Sequence, residues 1–184
     1  MYYLFRKRFS LVVLLLAFLF YGCDVLGIGK VVQPEEMKHY KPEGALVAFT
    51  VDITKHPRIT TVRFMFSRSS SVSVFPSKYK NYYLADMPLS CKGINRIGLS
   101  GGVHFPDIWF DNYVSPFSLE SNKVNYLGRF IFEADKDPDR MLDKMIVSNC
   151  IDEDKVWFLE YYPSLSNTEF ISVPVTNGQF FRVR

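Results

Sequence analysis

The sequence predicts a mainly β domain: an antiparallel β-sandwich with one or two short helices before a C-terminal hairpin, or, on the alternative reading of the tail, an α+β arrangement. Three observations carry this. Apolar and polar residues alternate from residue 45 to about residue 134, the period of strands that bury one face. Pro, Gly, Ser and charged clusters interrupt the alternation at short intervals, as turns do. Past the first residues, helical spacing is confined to residues 137–162.

The elements follow in chain order. Residues 30–33 suit a short strand. Val47, Phe49, Val51 and Ile53 alternate with Ala48, Thr50 and Asp52. Val62, Phe64 and Phe66 alternate with Thr61, Arg63 and Met65, and Val72 and Val74 with serines. Residues 82–85 and 94–99 are further strand candidates. Residues 117–119 lead into Glu120-Ser121-Asn122-Lys123, a turn-like tetrapeptide. The clearest strand comes next. Val124, Tyr126, Phe130 and Phe132 are expected on one face, with Asn125, Arg129 and Glu133 on the other, and Gly128 marks a bulge or a close backbone contact. Asp137-Pro138 reads as a helix start, with Asp as the cap and Pro at the first helical position. Met141, Leu142, Met145 and Ile146 then recur at helical spacing. A second short helix is predicted over residues 152–161, limited by Pro163. Asn177-Gly178, between residues 170–175 and 179–183, predicts a type I′ hairpin.

The first 23 residues point to export. Arg6, Lys7 and Arg8 form a basic head, residues 11–21 are uninterruptedly apolar, and Gly22-Cys23 closes the run. These are the parts of a secretory signal. The apolar run reaches only about 20 Å as a helix, short of the roughly 30 Å that a membrane span needs. Phe20-Tyr21-Gly22-Cys23 resembles the lipobox of bacterial lipoproteins. That resemblance implies cleavage before Cys23, lipid on its thiol, and a place in the bacterial cell envelope at either the inner or the outer membrane. Residues 1–22 are then the signal peptide, 23–44 a lipidated tether, and 45–184 the domain, with a helical insert near 137–162.

Removing the signal also removes the basic excess. Three of the 22 basic residues lie in it with no acidic residue, leaving 19 against 19. The basic pI therefore gives no reason to expect nucleic acid as a partner. The expected partners are the membrane, through the lipid on Cys23, and an envelope protein.

Cys91 and Cys150 remain. In an oxidising compartment they either pair, closing a loop of about 60 residues worth roughly 4 kcal/mol of unfolded-chain entropy, or stand as two buried thiols that behave as small hydrophobes.

Candidate chemistry is sparse. Gly98-Leu99-Ser100-Gly101-Gly102 matches the G-x-S-x-G pattern of hydrolases, which works only where the serine sits on a sharp strand-to-helix turn with an acid and a histidine later in the chain. The histidine on offer is His104, and no acid lies between the two. A small envelope hydrolase built on Ser100 and His104 is thus the minor reading, and a glycine-rich turn the plainer one. Asp135 to Asp139 resembles half a calcium loop, but Arg140 and Ile146 occupy the positions that need Gly and Glu. His39, His56 and His104 do not sit at metal-ligand spacing. No cofactor or metal is predicted. Phe105, Ile108, Trp109 and Phe110 crowd aromatics around Pro106. They are either an anchor patch for a partner or a strand whose rings fill the core.

Pro116-Phe117-Ser118-Leu119, followed by Lys123-Val124-Asn125-Tyr126-Leu127-Gly128, resembles the closing strands of the transthyretin-like or immunoglobulin-like sandwiches of many bacterial lipoproteins. The resemblance spans roughly residues 45–134. It implies a fold and no activity. The expected function is a lipid-anchored binding or structural module.

Overall fold

A computed structural model describes residues 29–55, 58–66, 70–77, 81–101, 108–110, 115–133, 144–175 and 178–179, with backbone alone at 108–110, 144 and 178–179. Among these residues the protein is mainly β. The large sheet has seven strands: β1 (Lys30–Val32), β2 (Ala45–Asp52), β5 (Tyr82–Met87), β10 (Val124–Glu133), β11 (Lys144–Ser148), β12 (Phe170–Ser172) and β13 (Gly178–Gln179). Its order is β1-β5-β2-β10-β11-β13, with β12 also paired to β10. A second sheet runs β4-β3-β7-β8, from β3 (Ile59–Met65), β4 (Ser71–Val74), β7 (Arg96–Gly101) and β8 (Ile108–Phe110). The short strands β6 (Gly93–Ile94) and β9 (Ser115–Pro116) pair with each other.

The two sheets share one core. Val47, Phe49 and Val51 of β2 meet Val62 and Phe64 of β3 and Ile97 and Leu99 of β7. The Phe64 ring sits edge-on to Phe49 and Phe130, with centroids 4.9 and 4.8 Å away. Burying each such side chain contributes about 1.5–3 kcal/mol. The opposite face of β2, through Leu46 and Ala48, packs against a helix at Ile151–Tyr161 and the 3-10 turn at Pro163–Leu165. Covered on both faces, β2 is buried along nearly its whole length.

Several expectations need correction. The sheet is not antiparallel throughout: β10 runs parallel to β2 and to β12. The faces of β10 also differ from the simple alternation. Its register against β2 shifts between Tyr126 and Gly128, and the extra residue turns every later side chain over. Val124 and Tyr126 lie in the helix-side core, whereas Leu127, Phe130 and Phe132 lie between the sheets.

Of the helical insert, the described residues show the second helix, at Ile151–Tyr161. Met145 and Ile146 belong to β11, paired antiparallel with Phe132 and Ile131. A five-residue ladder along the free half-edge of β10 outweighs their helical spacing. Residues 137–143, with the proposed cap, lie outside the described residues. Among the described residues of the predicted C-terminal hairpin, β12 pairs with the first half of β10's outer edge and β13 with β11. Asn177 is outside the described residues.

Residues 30–44, expected to belong to a tether, are packed against the sheet. Lys30 pairs with Asp86 and Val32 with Leu84, so β1 is part of the large sheet. Met37, in a short helix at Pro34–Met37, is buried. Tyr40 Oη and the Glu43 backbone N–H donate to one carboxylate oxygen of Asp86, at 2.9 and 2.8 Å, and the Gly44 N–H donates to the other at 3.0 Å. Residues 30–44 are therefore built into the fold.

Candidate functional site

The helix at Ile151–Tyr161 starts with three acidic residues, Asp152, Glu153 and Asp154, where the helix dipole favours negative charge. Asp154 points inward and is fully buried. Thr50 Oγ1 of β2 donates to its carboxylate at 2.8 Å, and Tyr126 Oη of β10 donates to the same oxygen at 2.5 Å. The Arg129 guanidinium pairs with the other oxygen and reaches Glu153 at 3.3 Å. Burial and the Asp154 carboxylate push the Tyr126 hydroxyl far above its ordinary pKa, and the hydrogen bond to Asp154 raises that of Arg129. Tyr126 is thus a neutral donor and Arg129 a cation. Both carboxylate oxygens have donors, so the node clamps the helix to the sheet.

The outer surface of the same helix is different. Trp157 and Tyr161, one turn apart, both stack on Tyr82 of β5, with centroids at 6.1 and 5.9 Å and interplanar angles of 26° and 27°. The Phe158 ring meets Tyr82 edge-on from the core side at 5.6 Å. Trp157 remains 48% exposed, Tyr161 37% and the adjacent Val156 66%. This ridge is an apolar surface that the described fold leaves uncovered.

One cavity lies at the seam on β10 where β12 gives way to β11. It measures about 220 Å³ and is lined by Gly128, Val147, Asn149, Ser172 and Val173 among others. None of its lining side chains titrates, so it offers shape without acid or base.

The residues singled out from the sequence are scattered. Ser100 lies in β7, paired with Thr61, with its backbone carbonyl facing Thr60 Oγ1 at 3.4 Å. It is in a ladder, neither on a strand-to-helix turn nor on a glycine-rich one. His104 and Phe105 lie outside the described residues, as do Cys23 and residues 135–140. Ile108, Trp109 and Phe110 form the strand β8 against Ile97, Gly98 and Leu99, described by backbone alone. Cys91 and Cys150 are free thiols: Cys91 is buried in the core between the sheets, and Cys150 precedes the helix with its thiol 3.3 Å from Ser148 Oγ. Burial raises the Cys91 pKa. Among the described residues, no three His, Cys, Asp or Glu side chains gather as a metal would require.

Sequence reasoning missed the Asp154 node and the Tyr82 stack. The helix was legible and Trp157 and Tyr161 were visible within it, but Tyr82 is 75 positions away from Trp157, and a lone Asp in an acidic helix start carries no signal of burial.

Fold and site together define a mainly β protein with a helix locked over one sheet by a buried carboxylate. No known protein family matches the chain, and neither a curated protein nor a solved structure does.

Proposed function

We propose that this chain is a lipid-anchored binding module of the bacterial cell envelope, held at Cys23, with the Tyr82–Trp157–Tyr161 ridge as its partner-facing surface. The observation that carries the binding role is the ridge. Trp and Tyr dominate the centres of protein interfaces, and stacking on Tyr82 holds these two rings in place before any partner arrives. A preset surface loses less side-chain entropy on binding. The anchor rests on the basic head, the short apolar run and Gly22-Cys23.

The test has two arms. A photo-crosslinker at Val156, in cells making the full chain, is expected to give one discrete adduct. Trp157→Ala lowers its yield about tenfold while lowering the melting temperature by only about a few degrees, the loss of one partly exposed aromatic stack. An adduct yield that ignores Trp157→Ala rejects the ridge. Metabolic labelling with a fatty-acid analogue is expected to mark the wild type and spare Cys23→Ala. Equal labelling of the two rejects the anchor.

A further inference from the structure

We infer that the end of the large sheet where the chain joins it, tipped by Leu89, rests on the lipid surface, while the aromatic ridge stands on the far side. The inference depends on the lipid at Cys23 and goes beyond it by fixing which surface meets the bilayer.

Chain length comes first. Six residue steps separate Cys23 from Gly29, which span at most roughly 20 Å. Gly29 is already packed into the fold. A Cβ added there would lie 2.1 Å from Met87 Sδ and 2.6 Å from Val72 Cγ2. The body is therefore held close to the lipid, by a point fixed against the end of β5.

What surrounds that point comes next. Met87 ends β5, and a turn closed by the Cys91 N–H to the Pro88 carbonyl at 2.9 Å follows at once. Leu89, at its tip, is 44% exposed. Exposed Lys92 directly follows that turn, and exposed Lys41 lies between Tyr40 and Glu43, which both bond to Asp86 near the end of β5. An exposed leucine and lysines at one end of the sheet suit an interface, since lysine stems can lie along apolar surface with their charges in water. Tyr82 begins β5 at the opposite end, five residue steps away, or about 17 Å. The ridge stacked on Tyr82 therefore lies at the opposite end of β5 from the point where the chain enters the fold.

The test uses the full, processed chain in vesicles containing doxyl-labelled lipid, on a Cys150→Ser background that leaves Cys91 buried. An environment-sensitive fluorophore is attached to Leu89→Cys or to Val156→Cys. Quenching at position 89 is expected to exceed that at position 156 at least threefold. Twenty flexible residues inserted after Asp24 are expected to erase the difference while the lipid mass persists. Equal quenching at the two positions in a lipid-bearing chain overturns the orientation alone. A mature chain without lipid mass overturns the orientation and the anchor together.

Discussion

Tyr126 and Arg129 meet on one carboxylate, that of Asp154, although three steps along a regular strand would send them to opposite faces. The bulge between Tyr126 and Gly128 supplies the missing step. One extra residue brings a phenol and a guanidinium together under the helix and leaves Phe130 and Phe132 between the sheets.

Gly128 is what permits that bulge. Its φ is 112°, and an added Cβ would lie 2.8 Å from Val147 Cγ1 and 3.0 Å from the Ser148 carbonyl. Gly128→Ala is expected to cost at least about 1–3 kcal/mol from the backbone conformation alone. Urea denaturation checks this. A change below about 0.5 kcal/mol would mean that the bulge does not need glycine.

Asp154→Ala leaves Arg129 facing a gap and strips the acceptor from Tyr126 and Thr50. Breaking a buried pair costs about 3–5 kcal/mol. Because Arg129 keeps some contact with water, roughly 2–4 kcal/mol is expected. Hydrogen exchange by mass spectrometry should show residues 151–161 losing protection before the core between the sheets. Uniform loss across the fold would argue against a local clamp.

Alkali should unfold the protein through its tyrosines. Burial raises the pKa values of Tyr83, Tyr126 and Tyr162, with Tyr162 pushed up to about 12. The unfolded phenol titrates near about 10. The folded state holds the proton more tightly, so this stability is whole below about pH 10 and is lost as pH climbs past it toward the folded values. Urea midpoints should be level up to about pH 9.5 and then fall. Absorbance at 295 nm should show a late-titrating fraction that joins the early one in denaturant. A single transition near 10 in the native protein would contradict the burial.

The two thiols should behave unequally. Cys91 is buried with a raised pKa, so little thiolate forms and a reagent cannot reach it. Cys150 is half-buried. Native alkylation should modify Cys150 at least about a hundredfold faster than Cys91, with both reacting in denaturant. A mass two hydrogens lower with no reactive thiol would reveal a disulfide instead.

The sequence discloses whatever is local and periodic. β2, β3 and β4 follow from alternation, the helix near 152–161 from Val156, Phe158 and Leu159 before Pro163, and the irregularity at Gly128 from a glycine inside a strand. Choices made between distant segments stay hidden. Nothing in Met145-Ile146 states that β10 will present an open half-edge for them, and Asn177-Gly178 cannot reveal that its flanks are claimed by different strands. Asp154 looks like its neighbours Asp152 and Glu153 until the fold brings Thr50 and Tyr126 over it. Trp157 was visible within the helix, but its stacking partner Tyr82 lies on the distant strand β5.

The parallel pairing of β2 with β10 has a consequence for how the molecule assembles. Asn125 Nδ2 donates to the Leu46 carbonyl across a separation of 79 positions. β2 can find β5 early, but its other edge must wait for a segment far along the chain. Loop closure on that scale makes folding slow. During the wait β2 exposes an unpaired, strongly apolar edge, the kind that recruits strands from neighbouring molecules. Folding yield should therefore depend on concentration more steeply than the stability of the finished protein would suggest.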